Sequence, residues 1–171
     1  RSLIVDSTVF CRLPRTQIVE ANIAAGQVIV AFASHGQASY EQEYNAGMGS
    51  NGLTSARHDL FHNDYAAAYP ESYDPALPAD LVYTGPHRLT DLDAVTGLTV
   101  GKMVLSPTRT YLPLADQMLR EYRSQIQAII HCTGGGQTKV LKFATQGHII
   151  KDNLFEVPRL FELIQSASGA D

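Results

Sequence analysis

The 171-residue sequence is poor in several of the residues that build common kinds of site. It holds two cysteines, Cys11 and Cys132, and neither has a second thiol at metal-ligand or redox-motif spacing, which excludes a disulfide scaffold and a cysteine zinc site. No run of about 18 apolar residues is present to span a membrane, and no basic-then-apolar start resembles a signal peptide. Charged residues make up 18% of the chain, below the roughly 25% of an average globular protein. Positive charge has no excess either: 13 Lys and Arg against 17 Asp and Glu give a net −4 with no block of like charge, so a nucleic-acid binder working through a basic face is not expected. Internal repeats and low-complexity tracts are absent. A soluble, reducing, cytoplasmic setting with no membrane or nucleic-acid partner is the expectation. What is present is an apolar share of 44%, enough for a packed core, in a length that suits one ordinary domain.

Apolar periodicity gives a coarse order of elements. Leu3 to Phe10 and Gln27 to Ala33 read as strands, the second ending at Ser34-His35-Gly36. Residues 37–49 are polar, contain glycine and lack an apolar period, and so read as a long loop of the kind that is functional or mobile in compact domains. Ser50 or Asn51 then caps a helix with Leu53, Ala56, Leu60, Phe61, Tyr65 and Ala68 on one face. The segment from Pro70 to Gly101 is broken by Pro and Gly into an irregular excursion. A second amphipathic helix follows Arg109 and carries Leu114, Met118, Leu119, Tyr122 and Ile126. Gln127 to Cys132 reads as a buried strand, 137–144 as a short helix and His148 to Ile150 as a short strand. A last helix starts at Val157-Pro158, where proline costs the first turn nothing, with Leu160, Phe161, Leu163 and Ile164 inward. Strands alternating with helices predict a layered α/β (α+β-like) domain, a sheet covered by helices.

Three segments carry candidate chemistry. In His131-Cys132-Thr133-Gly134-Gly135-Gly136, successive glycines allow close backbone approach and can aim several N–H groups at one anion; a tight turn is the bland alternative. In Gly47-Met48-Gly49-Ser50-Asn51-Gly52, free amides and the positive end of a helix suit an anion or a polar substrate edge, and capping alone also explains Ser50 and Asn51. In Pro107-Thr108-Arg109, a guanidinium at the head of a helix offers bidentate charge to a phosphate or carboxylate, with a surface salt bridge as the alternative. Arg57 points into the same crevice or into water. His58 and His62 stand four apart, but Asp59 and Asn63 beside them read as a solvated face, so no metal site is assigned. Tyr40, Glu41, Glu43 and Tyr44 in the long loop offer contacts to substrate or a partner, with solvent exposure as the plainer reading.

Taken in order, Gly49-Ser50-Asn51-Gly52 with Arg57, Leu105-Ser106-Pro107-Thr108-Arg109-Thr110-Tyr111, and His131-Cys132-Thr133-Gly134-Gly135-Gly136 resemble the C-terminal half of the phosphoribosylformylglycinamidine cyclo-ligase (aminoimidazole ribonucleotide synthetase) family, from about Ile4 to about Gln165. Two departures accompany the likeness. Gly49 stands where many members have histidine, and Gln137-Thr138-Lys139-Val140 follows the glycines where a stretch ending in Pro-Arg is usual. The longer 37–48 and 69–102 segments are similar to those of the long bacterial variant.

The resemblance implies an ATP-dependent ring closure in purine biosynthesis on a small ribonucleotide substrate. It implies phosphate contact by the amides of Thr133, Gly134, Gly135 and Gly136, electrostatic stabilisation by Arg109, and substrate hydrogen bonding at Ser50, Asn51 and Gly52. His131 is implied as a proton donor or hydrogen-bond partner. It further implies that residues 1–12 are the last strand of an N-terminal domain holding ATP, magnesium and most of a homodimer interface, and that 13–171 are a C-terminal domain whose final strands lie beyond Asp171. A chain of this extent is expected to be inactive alone. A thiamine monophosphate kinase-like or selenophosphate synthetase-like enzyme of the same plan, or a non-catalytic anion-binding scaffold, are the alternatives.

Overall fold

The computed structural model describes residues 7–170, which form two compact units: residues 32–109 with 155–170, and residues 7–31 with 110–154. The expected strand at Leu3 to Phe10 lies partly outside the described residues, and residues 7–10 are exposed and carry no strand.

The first unit holds the core. Its helices are α1 (Leu53–Leu60), α2 (Asp64–Ala68), α3 (Val100–Val104) and α5 (Arg159–Ser168), and a two-residue antiparallel pair joins β1 (His35–Gly36) to β2 (Asn45–Ala46) with His35 opposite Ala46. Helices α1, α3 and α5 pack on one another through Leu60, Met103 and Leu160, each fully buried. Helix α5 turns Leu163 and Ile164 to this cluster as its spacing predicts, while Phe161 is only half-buried. Thr99 caps α3 by accepting from the Lys102 amide, satisfying one donor that a helix start leaves open. Arg159 at the head of α5 ion-pairs with buried Asp93 at 2.9 Å. Burial would raise the Asp93 pKa, but the Thr96 amide and hydroxyl and Arg159 outweigh it and hold the carboxyl below its ordinary range.

The single helix expected from Leu53 to Ala68 is two helices. Phe61 is extended, with ψ 150, because residues 84–87 cross the end of α1 and take over its hydrogen bonds: Gly85 N–H donates to Phe61, His87 N–H to Leu60, and His62 N–H to His87. The crossing is so close that a Cβ on Gly85 would lie 2.1 Å from the Leu60 carbonyl carbon. His58 also departs from expectation. It does not sit on a solvated face but in the core, 7% exposed and 4.7 Å from the Tyr83 ring. Its Nδ1 accepts from the Tyr83 amide at 3.2 Å, which fixes the hydrogen on Nε2, and that atom is buried with no hydrogen-bond partner. Tyr83 itself holds a left-handed φ of 51.

The second unit contains α4 (Leu112–Tyr122), with Pro113 in its first turn, and a 3-10 segment at Gly136–Lys142, both close to where the sequence places helix. The strands expected at Gln27 to Ala33, Gln127 to Cys132 and His148 to Ile150 do not form. A strand exists only as one member of a ladder, and among the described residues no ladder includes these three runs; Gln127 meets a neighbouring segment through one backbone bond, from the Asn22 amide to its carbonyl at 2.9 Å. Val28 and Val30 are accordingly 86% and 74% exposed. The architecture is α/β in the coarse sense, helices with a small antiparallel pair, rather than a sheet covered by helices. Among the described residues no helix is long and apolar enough to cross a membrane.

Two outcomes follow for stability. Leu160→Ala should cost about 2–5 kcal/mol in urea unfolding, since its side chain sits where three helices meet. Burial first, then the Arg57 charge, pushes His58 below its ordinary pKa against the pull of Asp59. The unfolded chain therefore binds this proton first as pH falls below about 6.5, and stability should drop from there until the folded protein is protonated too. Urea midpoints of wild type and His58→Gln between pH 7.5 and 5, both about values near the His range, check this: the variant should show the shallower decline.

Candidate functional site

The glycine-flanked turn and the Ser-Pro-Thr-Arg segment meet in the first unit, although about 60 positions separate them. Asn45 organises the meeting. Its Nδ2 donates to the Pro107 carbonyl at 2.9 Å and its Oδ1 accepts from the Gly47 amide at 2.8 Å, so one buried side chain ties the chain ahead and the chain across. The Ala46 amide donates to Ser106 Oγ at 2.9 Å, and both residues are buried. Gly49 follows at φ 62, and a Cβ there would come within 3.1 Å of Thr108 Oγ1. This packing gives a local reason for glycine at the position where the resembling family often has histidine.

From this anchor the chain reaches Ser50, Asn51 and Gly52, all exposed, at the start of α1. The capping expectation needs correction. The N-cap residue is Gly52, held at φ 78, rather than Ser50 or Asn51. The exposed side chains of Ser50 and Asn51 thus stand beside the positive end of α1, flanked by a buried anchor on one side and a helix on the other.

Arg109 also departs from expectation. It grips a carboxylate bidentately, but that carboxylate is the protein's own: Nε and Nη2 donate to the two Glu41 oxygens, each at 2.8 Å. Nη1 donates to the carbonyls of Ala33 and His35 and Nη2 to that of Gly36, so each of the five guanidinium N–H bonds meets an acceptor. Its side chain is 6% exposed. In this arrangement no donor remains for a substrate oxyanion, because the chain has used all five to fold the approach to β1. Arg57 is likewise turned inward, with Nη1 directed to the Ser72 carbonyl at 3.4 Å. Glu41 is the residue that sequence reading missed. Nothing local marks it, since its partner stands 68 positions away.

The third segment lies in the second unit, whereas the first two lie in the first. His131, Thr133, Gly134, Gly135 and Gly136 are all exposed. The glycines run at φ 55, 113 and 46, three successive left-handed positions that side-chain-bearing residues rarely adopt, which explains why all three are glycine. The Gly135 carbonyl accepts from both the amide and the hydroxyl of Thr138, starting the 3-10 turn. Among the described residues no three His, Cys, Asp or Glu side chains are grouped to hold a metal ion.

In the first unit, then, a polar turn at a helix start is braced by a distant Ser-Pro-Thr-Arg segment. No family model matches the chain. It is similar to curated proteins named phosphoribosylformylglycinamidine cyclo-ligase: 27% identical over 163 residues to that of Carboxydothermus hydrogenoformans, covering 91% of this chain and 36% of that protein. It is 28% identical over 161 residues to that of Syntrophotalea carbinolica, covering 91% and 36%, and 26% identical over 167 residues to that of Methanococcus vannielii, covering 97% and 38%. The resemblance read from the motifs is borne out across most of the chain, and the chain spans little more than a third of these relatives' length.

Ser106→Ala should leave the buried Ala46 amide without an acceptor and cost about 1–3 kcal/mol in urea unfolding. Ser106→Thr, which keeps the hydroxyl, should recover part of the loss.

Proposed function

We propose that this chain is the C-terminal synthetase-like portion of an ATP-dependent cyclo-ligase that converts formylglycinamidine ribonucleotide to aminoimidazole ribonucleotide in purine biosynthesis. The reading is carried by one observation: two motifs of the resembling family, far apart in sequence, brace each other so that Ser50 and Asn51 are presented at the start of α1. Support comes from the similarity over most of the chain.

In this proposal ATP and magnesium are held mainly by an N-terminal domain of a homodimeric, cytoplasmic parent enzyme. ATP supplies the phosphoryl group that turns the formamide oxygen into a leaving group. Among the described residues of this chain, no three His, Cys, Asp or Glu side chains are grouped to hold that magnesium. The chain's own part is binding and orientation. Ser50 and Asn51 donate and accept hydrogen bonds at the polar edge of the substrate, beside the N-terminal end of α1. Gly52 lets the backbone pass close to it. The backbone of Thr133, Gly134, Gly135 and Gly136 contacts a phosphate, and His131 serves as proton donor or hydrogen-bond partner. Arg109 enters as the residue that holds this surface in place, since its donors are taken within the chain.

The same use of Arg109 favours a second reading, a non-catalytic anion-binding scaffold that keeps the fold. The two part in the full-length parent. Asn51→Ala should lower turnover about 100-fold, the scale of losing one positioned hydrogen-bond donor, with unchanged circular dichroism and thermal midpoint. Turnover equal to wild type would leave the scaffold.

A further inference from the structure

The long loop after β1 contains two glutamates two positions apart with opposite surroundings. Glu43 is 72% exposed and stands 3.7 Å from Lys102, itself 61% exposed. Glu41 is 17% exposed, and both its oxygens are engaged: Oε1 with Arg109 Nε, Oε2 with Arg109 Nη2 and with the Ala38 amide at 2.8 Å. The bonds to Arg109, then that to Ala38, hold its carboxyl below the ordinary glutamate range against the opposing effect of burial. A planar, two-bond pair with both members largely removed from water is the strong form of ion pair, unlike a solvated surface contact.

We propose that Glu41 is a positioning residue for the Ser50–Asn51–Gly52 turn, acting through Arg109. The functional weight of this role rests on the reading of that turn as a substrate contact. Contacts carry the effect step by step. Glu41 fixes the guanidinium. The guanidinium's other donors fix the carbonyls of Ala33, His35 and Gly36, which set the line of β1. Strand β1 pairs with β2, whose Asn45 and Ala46 are tied to Pro107 and Ser106, and Thr108, next to Arg109, lies against Gly49. The turn begins at the next residue. In Glu41→Gln one of the two acceptor oxygens becomes an NH2 donor, so a buried N–H of Arg109 loses its acceptor and meets another donor, and the guanidinium turns toward water and loosens its hold on the carbonyls.

The test uses the full 171-residue chain, 15N-labelled, as wild type, Glu41→Gln and Glu43→Gln, with ribose 5-phosphate as the probe ligand. Glu41→Gln should speed amide hydrogen exchange across 46–52 at least about tenfold while the amides of Leu60 and Met103 stay protected. It should also weaken ribose 5-phosphate binding about tenfold, measured at a temperature below the thermal midpoint of both proteins. Glu43→Gln should change neither. Unaltered exchange across 46–52 in Glu41→Gln overturns the proposal. Exchange that rises equally at Leu60 and Met103 marks a general loss of structure, and the milder Glu41→Asp then decides: an equal rise at Leu60 and Met103 there too overturns the proposal, and a rise confined to 46–52 supports it. A wild type that binds no ribose 5-phosphate removes the substrate reading of the turn, and the exchange comparison still decides the role of Glu41.

Discussion

A guanidinium that leaves water must find an acceptor for every N–H it carries, and Arg109 satisfies that demand by drawing in a carboxylate and three backbone carbonyls. The neighbouring arrangement depends on this. The carbonyls belong to the approach to β1, the carboxylate to the loop that follows it, and the arginine to the segment whose Ser106 and Pro107 accept bonds from Ala46 and Asn45. Three pieces of chain are thereby tied by polar contacts, beside the core that Ala46 and Met48 enter. The cost of an unmade buried hydrogen bond, more than hydrophobic burial, specifies this side of the first unit.

Its other side is held in the ordinary way. Leu60, Met103 and Leu160 close the space between α1, α3 and α5, and the chain at Gly85 comes close enough to α1 to end it. The two sides share α1. Its C-terminal half is seated in the core, and its N-terminal end carries the exposed turn. A helix only eight residues long can present that turn steadily because packing, rather than intrinsic helix propensity, supplies most of its stability.

Elements whose cause is local were legible in the sequence. Helices α4 and α5 follow from apolar spacing and an early proline, and the 3-10 turn at Gly136–Lys142 overlaps the helical segment expected at 137–144. Features with a distant cause were not. The break at Phe61 is imposed by residues 84–87, the burial of His58 by Tyr83, and the fate of Arg109 by a glutamate 68 positions earlier. The β-branched runs at 27–33 and 127–132 carry strand propensity, but propensity says only that a segment suits a ladder and not whether a partner lies alongside. Of the site, the pairing of the Ser-Asn-Gly turn with Ser-Pro-Thr-Arg was foreshadowed by motif order. The atoms that join them, in Asn45 and Ser106, were not.

One of these runs has a consequence for the chain as a material. Gln27-Val28-Ile29-Val30-Ala31-Phe32-Ala33 contains no charge and no proline, is rich in β-formers, and exposes most of its apolar surface. Seven residues of that composition match the signature of segments that stack in register with their own copies, each backbone amide bonding to the next chain in the pile. As concentration rises, this composition favours cross-β assembly, and the hold of Arg109 on the Ala33 carbonyl opposes it at the end of the run.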